Sequence, residues 1–378
     1  MAPTPPPRWL GQVPALDGLR GIAVLLVVVS HLNLLIPRLD ITGFQPLDGL
    51  IEGGYLGVDI FFVLSGFLIT AILLREERGT GGVRFGNFYA RRALRLLPAL
   101  YFMLLCHAFY TVVTDLAWSV EAESIQAAVL YYSNWLVVYD LGAIATGTNH
   151  LWSLAVEEQF YLVWPAVLVG LLGLRRRTAA AAVGIAVAIV VIAVHRARLW
   201  DQGTTWLELF VRTDTRADSL LVGALLATLW VRRSTPTRGV DAAAWLAAGA
   251  ALVYLGLVEA SSPVPYLWGG STVFAVLVAI VLLAILNGTW GPSRVLAHRS
   301  LRAVGRVSYG LYLWHFPVFH VVARYGSDWP EPVRVLVAVP AAVGATLVSW
   351  WFLEKPLQSF RVRFPPAAPR AAVPAASN

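Results

Sequence analysis

Through most of the chain, apolar residues run on without the period-two or period-3.6 alternation that marks a half-exposed strand or helix. Stretches 179–194 and 273–286 contain no charged side chain at all. A helix that is apolar on every side needs surroundings as apolar as itself, and about 20 such residues match the thickness of a bilayer. Segments of that kind recur at 19–36, 55–74, 94–113, 151–174, 179–195, 217–231, 242–258, 268–287, 307–323 and 332–352. They predict an all-α polytopic membrane protein with about ten transmembrane helices in one bundle. Stretch 19–36 lacks a small-residue cleavage site after it, so it reads as a retained span and not a signal peptide. A further apolar stretch, 125–139, is shorter and interrupted by Ser133 and Asn134. The proline-rich start, 1–14, and the end, 358–378, read as disordered tails around a transmembrane domain at 15–357.

Composition reinforces the pattern. The chain is 58% hydrophobic and 13% charged, with mean hydropathy +0.66, against about 25% charged residues in a soluble domain. Soluble enzyme, collagen, disordered chain and secreted disulfide scaffold are excluded, and the single Cys106 has no internal partner. The net charge of +7 comes almost wholly from arginine, Lys355 being the only lysine, which points to a GC-rich bacterial genome. The arginines crowd into clusters: Arg75–Arg95, Arg175–Arg177, Arg232–Arg238 and Arg294–Arg306. The intervening loops hold Asp40, Asp48 and Glu52, then Asp115, Glu121 and Glu123, then Asp201 and Glu208. Treating 125–139 as a re-entrant or interfacial segment puts every basic cluster on the cytoplasmic side, with both termini inside. The location implied is the inner (plasma) membrane, and the charge reports topology and not a nucleic-acid partner.

Ionisable groups inside spans are costly and mark function. On the first span Arg20 and His31 share a face, about 16 Å apart along the axis, together with Asp17. One reading is a positive-inside anchor plus a packed histidine. The other, favoured because neutral imidazole is the usual base near neutral pH, is catalytic. On the fourth, His150, Ser153, Glu157, Tyr161 and Trp164 lie within about 40° of Glu157, with Trp152 in the same block, whereas Glu158 shares its face with leucines. Glu157 therefore points into the bundle at about the depth of His31, where a carboxylate could orient the imidazole; the bland alternative is a structural glutamate on hydroxyl partners. Asp59 falls in the same layer, either catalytic or the packing partner of an arginine. Gly66 reads as a site of close helix approach. Arg91, Arg92 and Arg95 open the third span, where they suit either the phosphates of a cytosolic ligand or anionic lipid headgroups. His315 is mid-span, as a pocket contact or a hydrogen-bonded packing residue. Arg216 with Asp218 reads as an ion pair, and Glu354 with Lys355 as a pair or interfacial anchor. There is no P-loop, no Cys/His cluster for a metal, and no GxSxG elbow.

The blocks LDGLRGIAVLLVVVSH, GYLGVDIFFVLSGFLIT, FYARRALRLLPA, HLWSLAVEEQFYLVWP, GRVSYGLYLWHFP and FLEKP, in that order from residue 16 to 356, resemble membrane acyltransferase family 3. The resemblance implies transfer of an acyl group, commonly acetyl, from acyl-CoA to a hydroxyl of a carbohydrate or related acceptor, with no tightly bound cofactor. It assigns essential roles to Arg20 and His31, donor binding to Arg91, Arg92 and Arg95, and a functional role to Glu157. Acceptor contacts are expected at His150, Trp152, Ser153, Tyr161 and His315, and catalytic ones at His31, Glu157 and Asp59. Many relatives carry a C-terminal extracytoplasmic SGNH-type domain after FLEKP, and this sequence does not. It is therefore expected to act directly on an envelope glycan or glycolipid, or on a macrolide-type product, or to use a separate extracytoplasmic partner. Direct transfer and an acyl-histidine route both stay open. A carrier of acyl donors without chemistry is the rival class, disfavoured by the lack of an internal repeat.

Overall fold

The computed structural model describes residues 13–36, 45–114, 116–139, 147–175, 178–231, 237–258 and 269–365. Most of the expected tails, Asp40, Asp115, and the arginines at 176, 177, 232 and 233 lie outside them. Every regular element among the described residues is helical. The first, α1 (Pro14–Ser30), starts with proline at its first turn and Asp17 near the positive end of its dipole. It passes into a 3-10 turn, His31–Leu34. Then come α2 (Gln45–Glu52), α3 (Gly57–Thr80), α4 (Phe85–Val113), α5 (Trp118–Val129) and α6 (Ser133–Tyr139). The middle of the chain forms α7 (Trp152–Arg175), α8 (Thr178–Asp201), α9 (Trp206–Val211), α10 (Thr213–Trp230) and α11 (Val240–Leu257). The last third holds α12 (Ser271–Asn287), α13 (Ser293–Leu296), α14 (Arg299–Arg306), α15 (Ser308–Tyr325), α16 (Glu331–Ser349) and α17 (Lys355–Ser359).

Seven helical segments are long and apolar enough to cross a membrane: Pro14–Leu34, Asp48–Thr80, Phe85–Val113, Asn149–Gly173, Ala179–Asp201, Val240–Leu257 and Glu331–Arg363. Large apolar side chains such as Leu105, Phe109, Leu162, Leu246 and Leu336 are exposed on their outer faces. A belt of that kind needs lipid and not water around it. The protein is an all-α polytopic membrane protein. The other expected spans correspond to α10, α12 and α15, of 18, 17 and 18 residues. Arg216 and Asp218 on α10 and His315 on α15 are wholly buried polar groups, which lower the mean hydropathy of those helices.

Burial is graded across the bundle. For α3, 78% of the apolar window is buried, against 22% for α11 and for α16, so α3 forms the centre and the others its rim. The α3–α10 crossing is close because Gly66 and Gly223 face each other's backbone. A Cβ on Gly66 would stand 1.8 Å from the Leu220 carbonyl oxygen, and one on Gly223 2.0 Å from that of Val63. The role expected of Gly66 is the one observed.

Segment 125–139 breaks into two helices at Tyr131, which takes a left-handed backbone (φ 57°). At 12 and 7 residues neither helix is long enough to cross about 30 Å of hydrocarbon. The break is held by side chains. Gln159 Nε2 donates to the Tyr131 carbonyl (2.7 Å) and to Asn134 Oδ1 (2.9 Å), and Asn134 Nδ2 donates to Thr213 Oγ1 (2.9 Å). The other end also departs from expectation. Trp350–Glu354 forms a π-helical turn, followed by α17 and a 3-10 turn, Phe360–Arg363, both packed on α4. The folded unit therefore runs past the boundary expected at 357, because Arg91 and Asn87 donate hydrogen bonds to the carbonyls of Phe364 and Pro365.

Candidate active site

A cavity of about 340 Å³ lies between α1, α3, α4, α7 and α15. Its polar wall is made of Asp17, Arg20, Ser65, Arg92, Arg95, Ser153, Glu157, Tyr161, Tyr309 and Tyr312. Leu16, Phe61, Phe62, Leu64, Leu68 and Leu96 supply apolar wall between them. The sequence carries these groups there by helical spacing: Ser153, Glu157 and Tyr161 are successive i,i+4 positions on one face of α7.

Arginines gather at one end. Arg92 is neutralised, its Nη2 2.8 Å from Glu158 Oε1 and its guanidinium 3.0 Å from the Tyr161 ring centroid. Among the described residues Arg20 and Arg95 form no ion pair, although Asp17 and Glu157 are felt at Arg20. Arg91 is elsewhere: it contacts Glu76 at 3.8 Å and the Phe364 carbonyl at 2.8 Å, and it is absent from the cavity wall. The reason is angular, since residues 91 and 92 differ by about 100° around α4, and only 92 and 95 face the cavity.

Glu157 is in the wall as expected, but its partners are hydroxyls. Ser65 donates to Oε1 at 2.5 Å and Tyr161 at 3.3 Å. Glu158 takes the other direction and meets Arg92. The expected pairing of His31 with Glu157 or Asp59 is not formed. The His31 Nδ1 instead lies 2.9 Å from His315 Nε2, and Phe316 packs edge-on against its ring.

The hydrogen bonds fix the tautomers of this pair. A backbone carbonyl only accepts, and His315 Nδ1 is 2.9 Å from the Leu311 carbonyl, so Nδ1 carries the proton. The His315 Nε2 is then the acceptor, and His31 Nδ1 must donate to it. His31 Nε2 is left with a bare lone pair. His315 is thus the orienting partner of His31 and is not in the cavity wall. His150 stacks on Phe316 at 4.7 Å and approaches the same pair. Tyr312, in the cavity wall, links that wall to the main chain of His150, while His31 and His150 themselves lie outside it. The Tyr312 hydroxyl donates to the His150 carbonyl (2.6 Å), so Ser153 Oγ donates to it (2.5 Å).

Trp152 lies away from the cavity wall, and Asp59 takes the second of its two expected roles, as the packing partner of an arginine. Trp152 packs on Phe210 and Phe62 in the core, its ring centroids 4.8 Å and 6.4 Å away. Asp59 is fully buried, 3.0 Å from Arg216 and 2.9 Å from Ser219. Arg216 and Asp218 do not pair with each other, since two residues apart on a helix puts them about 160° apart. Asp218 is held instead by Arg196 (2.9 Å) and Thr272 (2.5 Å). Glu354 turns inward to Ser349, while Lys355 sits over Trp351. Sequence reasoning gave no role to Ser65 or Tyr309. Both are hydroxyls inside apolar spans, which is the only signal they offered.

The fold and site thus define a multi-pass membrane protein with an arginine-lined cavity inside the bundle and an oriented histidine, His31, that lies outside the cavity wall. The chain matches the family described as acyltransferase domain over residues 13–354, and it belongs to that family. It is 34% identical over 371 residues to the putative peptidoglycan O-acetyltransferase YrhL of Bacillus subtilis, covering 92% of this chain and 56% of the relative. With the peptidoglycan O-acetyltransferase OatA of Listeria monocytogenes the identity is 32% over 362 residues, with the same coverage. A putative O-acetyltransferase of Staphylococcus aureus is 31% identical, covering 93% of this chain and 58% of its own. The chain spans a little over half the length of these relatives. No solved structure matches it.

Proposed function

We propose that this chain is a membrane O-acyltransferase that moves an acetyl group from a phosphorylated acyl thioester, acetyl-CoA, to a sugar hydroxyl of a cell-envelope glycan. The observation that carries the proposal is the bare Nε2 of His31, oriented by His315, together with a neighbouring cavity lined by Arg20, Arg95 and Tyr312, whose ring lies 5.7 Å from that of His315. In this scheme the donor's phosphates meet the arginines and its thin pantetheine arm runs along the cavity. His31 Nε2 takes the proton of the acceptor hydroxyl as that oxygen attacks the thioester carbon. The C–O bond forms, the C–S bond breaks, and the proton passes on to the leaving thiolate. Glu157, held by Ser65 and Tyr161, faces Arg20 across the path. The names of the relatives support a peptidoglycan-type acceptor over a macrolide. Ten spans with both termini inside, in the plasma membrane, complete the proposal.

The test uses the purified full chain with labelled acetyl-CoA and a soluble peptidoglycan oligosaccharide. Acceptor-dependent release of CoA is expected, and His31→Ala should lower kcat by about 10²–10⁴-fold, the usual share of a general base. Wild-type turnover in that variant would overturn the mechanism. Acetyl-CoA left intact by the wild type would overturn the donor.

A further inference from the structure

Arg361 lies on the 3-10 turn Phe360–Arg363, in a stretch whose sequence reads as tail. The turn is fixed on α4, because Arg91 Nη1 donates to the Phe364 carbonyl at 2.8 Å and Asn87 Nδ2 to that of Pro365 at 2.9 Å. This brings Arg361, outside the cavity wall itself, near enough to Arg20 and Arg95 for its charge to act on both. Its Nε and Nη2 are buried and meet no hydrogen-bond acceptor among the described residues. The neighbouring Arg91 and Arg92 each have a glutamate, whereas Arg20, Arg95 and Arg361 form no ion pair among the described residues. Acidic groups are near these three without touching them: Asp17 and Glu157 act on Arg20, and Glu354 acts on Arg95.

Three like charges in a poorly solvated place repel one another, and buried guanidinium donors without acceptors cost free energy. Such an arrangement is stable when an anion with several acceptor oxygens sits among them, and a phosphate group meets that need. We infer that Arg361 is a phosphate-binding residue, completing with Arg20 and Arg95 a three-arginine site beside the cavity. The inference rests on the proposed donor for the identity of the ligand. The phosphates of CoA and the headgroup of an anionic lipid offer the same chemistry, so the experiment must separate them.

Full-length protein in detergent is labelled with phenylglyoxal, and each arginine is read by mass spectrometry, with CoA, with phosphatidylglycerol, or with neither. Protection of Arg361 by CoA is expected, with no change at the exposed Arg363, which stacks on Phe360. In parallel, Arg361→Gln should raise the KM for acetyl-CoA about tenfold with kcat little altered, the size of one charge-assisted hydrogen bond, and Arg361→Lys should recover part of it. If CoA protects Arg20 and Arg95 but leaves Arg361 reactive, the assignment of Arg361 is overturned and the donor proposal stands. If phosphatidylglycerol protects and CoA does not, the ligand is lipid and the donor assignment is overturned. If nothing protects any of the three, the phosphate site itself is overturned. Labelling of the unaltered chain makes the outcome independent of whether a variant folds.

Discussion

A histidine serves as a base only if one ring nitrogen is bare and aimed, and here a relay of hydrogen bonds sets both conditions. The Leu311 carbonyl fixes His315, and His315 fixes His31. Replacing His315 by Phe removes the acceptor, freeing His31 to turn and to take either tautomer. Such a change is expected to lower kcat by about 10–100-fold, as loss of an orienting partner does elsewhere, with the KM for the donor unaltered. His315→Gln keeps an acceptor and should restore part of the rate, which a simple packing defect would not allow. Steady-state kinetics on the three proteins checks it. The sequence allowed the direction of each side chain around its own helix to be read: Glu157 inward, Glu158 aside. It did not allow the facing partner to be read. His31 caps α1 and Glu157 stands on α7; both helices pack against α3, and that packing, which no single helix wheel shows, kept their common depth from becoming a contact.

Between helices, the buried ion pairs decide register. Asp59 on α3 and Arg216 on α10 are wholly buried, and the pair lies beside the close contact made by Gly66 and Gly223. Cutting one partner leaves the other charge stranded, so Asp59→Ala is expected to destabilise the protein by about 3–5 kcal/mol. Replacing both partners by apolar groups of similar size, Asp59→Leu with Arg216→Met, should return most of that stability. Denaturation in detergent measures it, and activity separates the two roles of Asp59. A structural Asp59 gives a double variant that regains turnover together with stability. A catalytic Asp59 gives one that is stable and inactive. That an arginine would claim Asp59 was one of the two options visible in sequence. That it would be Arg216, and that Asp218 would go to Arg196, required knowing that α8, α10 and α12 stand together. The helices themselves were far easier to find, because an unbroken apolar run specifies a span without reference to any neighbour.

At the scale of the whole molecule, sidedness connects charge to chemistry. The arginine clusters favour placing the N-terminal ends of α1 and α4 on the cytoplasmic face. Arg20, Arg92 and Arg95 would then open towards the compartment that holds CoA, while His31, at the other end of α1, lies nearer the outer face. In the proposed reaction the cavity, which runs from the arginines to Ser153 and Tyr312, would carry the donor towards His31. Because the chain has one cysteine, Cys106, this arrangement can be tested by single-site labelling. In a Cys106→Ser background, Gly82→Cys is placed in the turn between α3 and α4, where the new side chain meets nothing within 4 Å. Gln202→Cys is placed just after α8, at an exposed position. A membrane-impermeant maleimide added to intact cells should label position 202 and leave position 82 until the membrane is opened. The reverse pattern would put the arginine end outside, away from any pool of CoA. Labelling of both positions from outside would mean that 125–139 does not divide the chain as its two short helices suggest, and the number of crossings between 82 and 202 would have to be even.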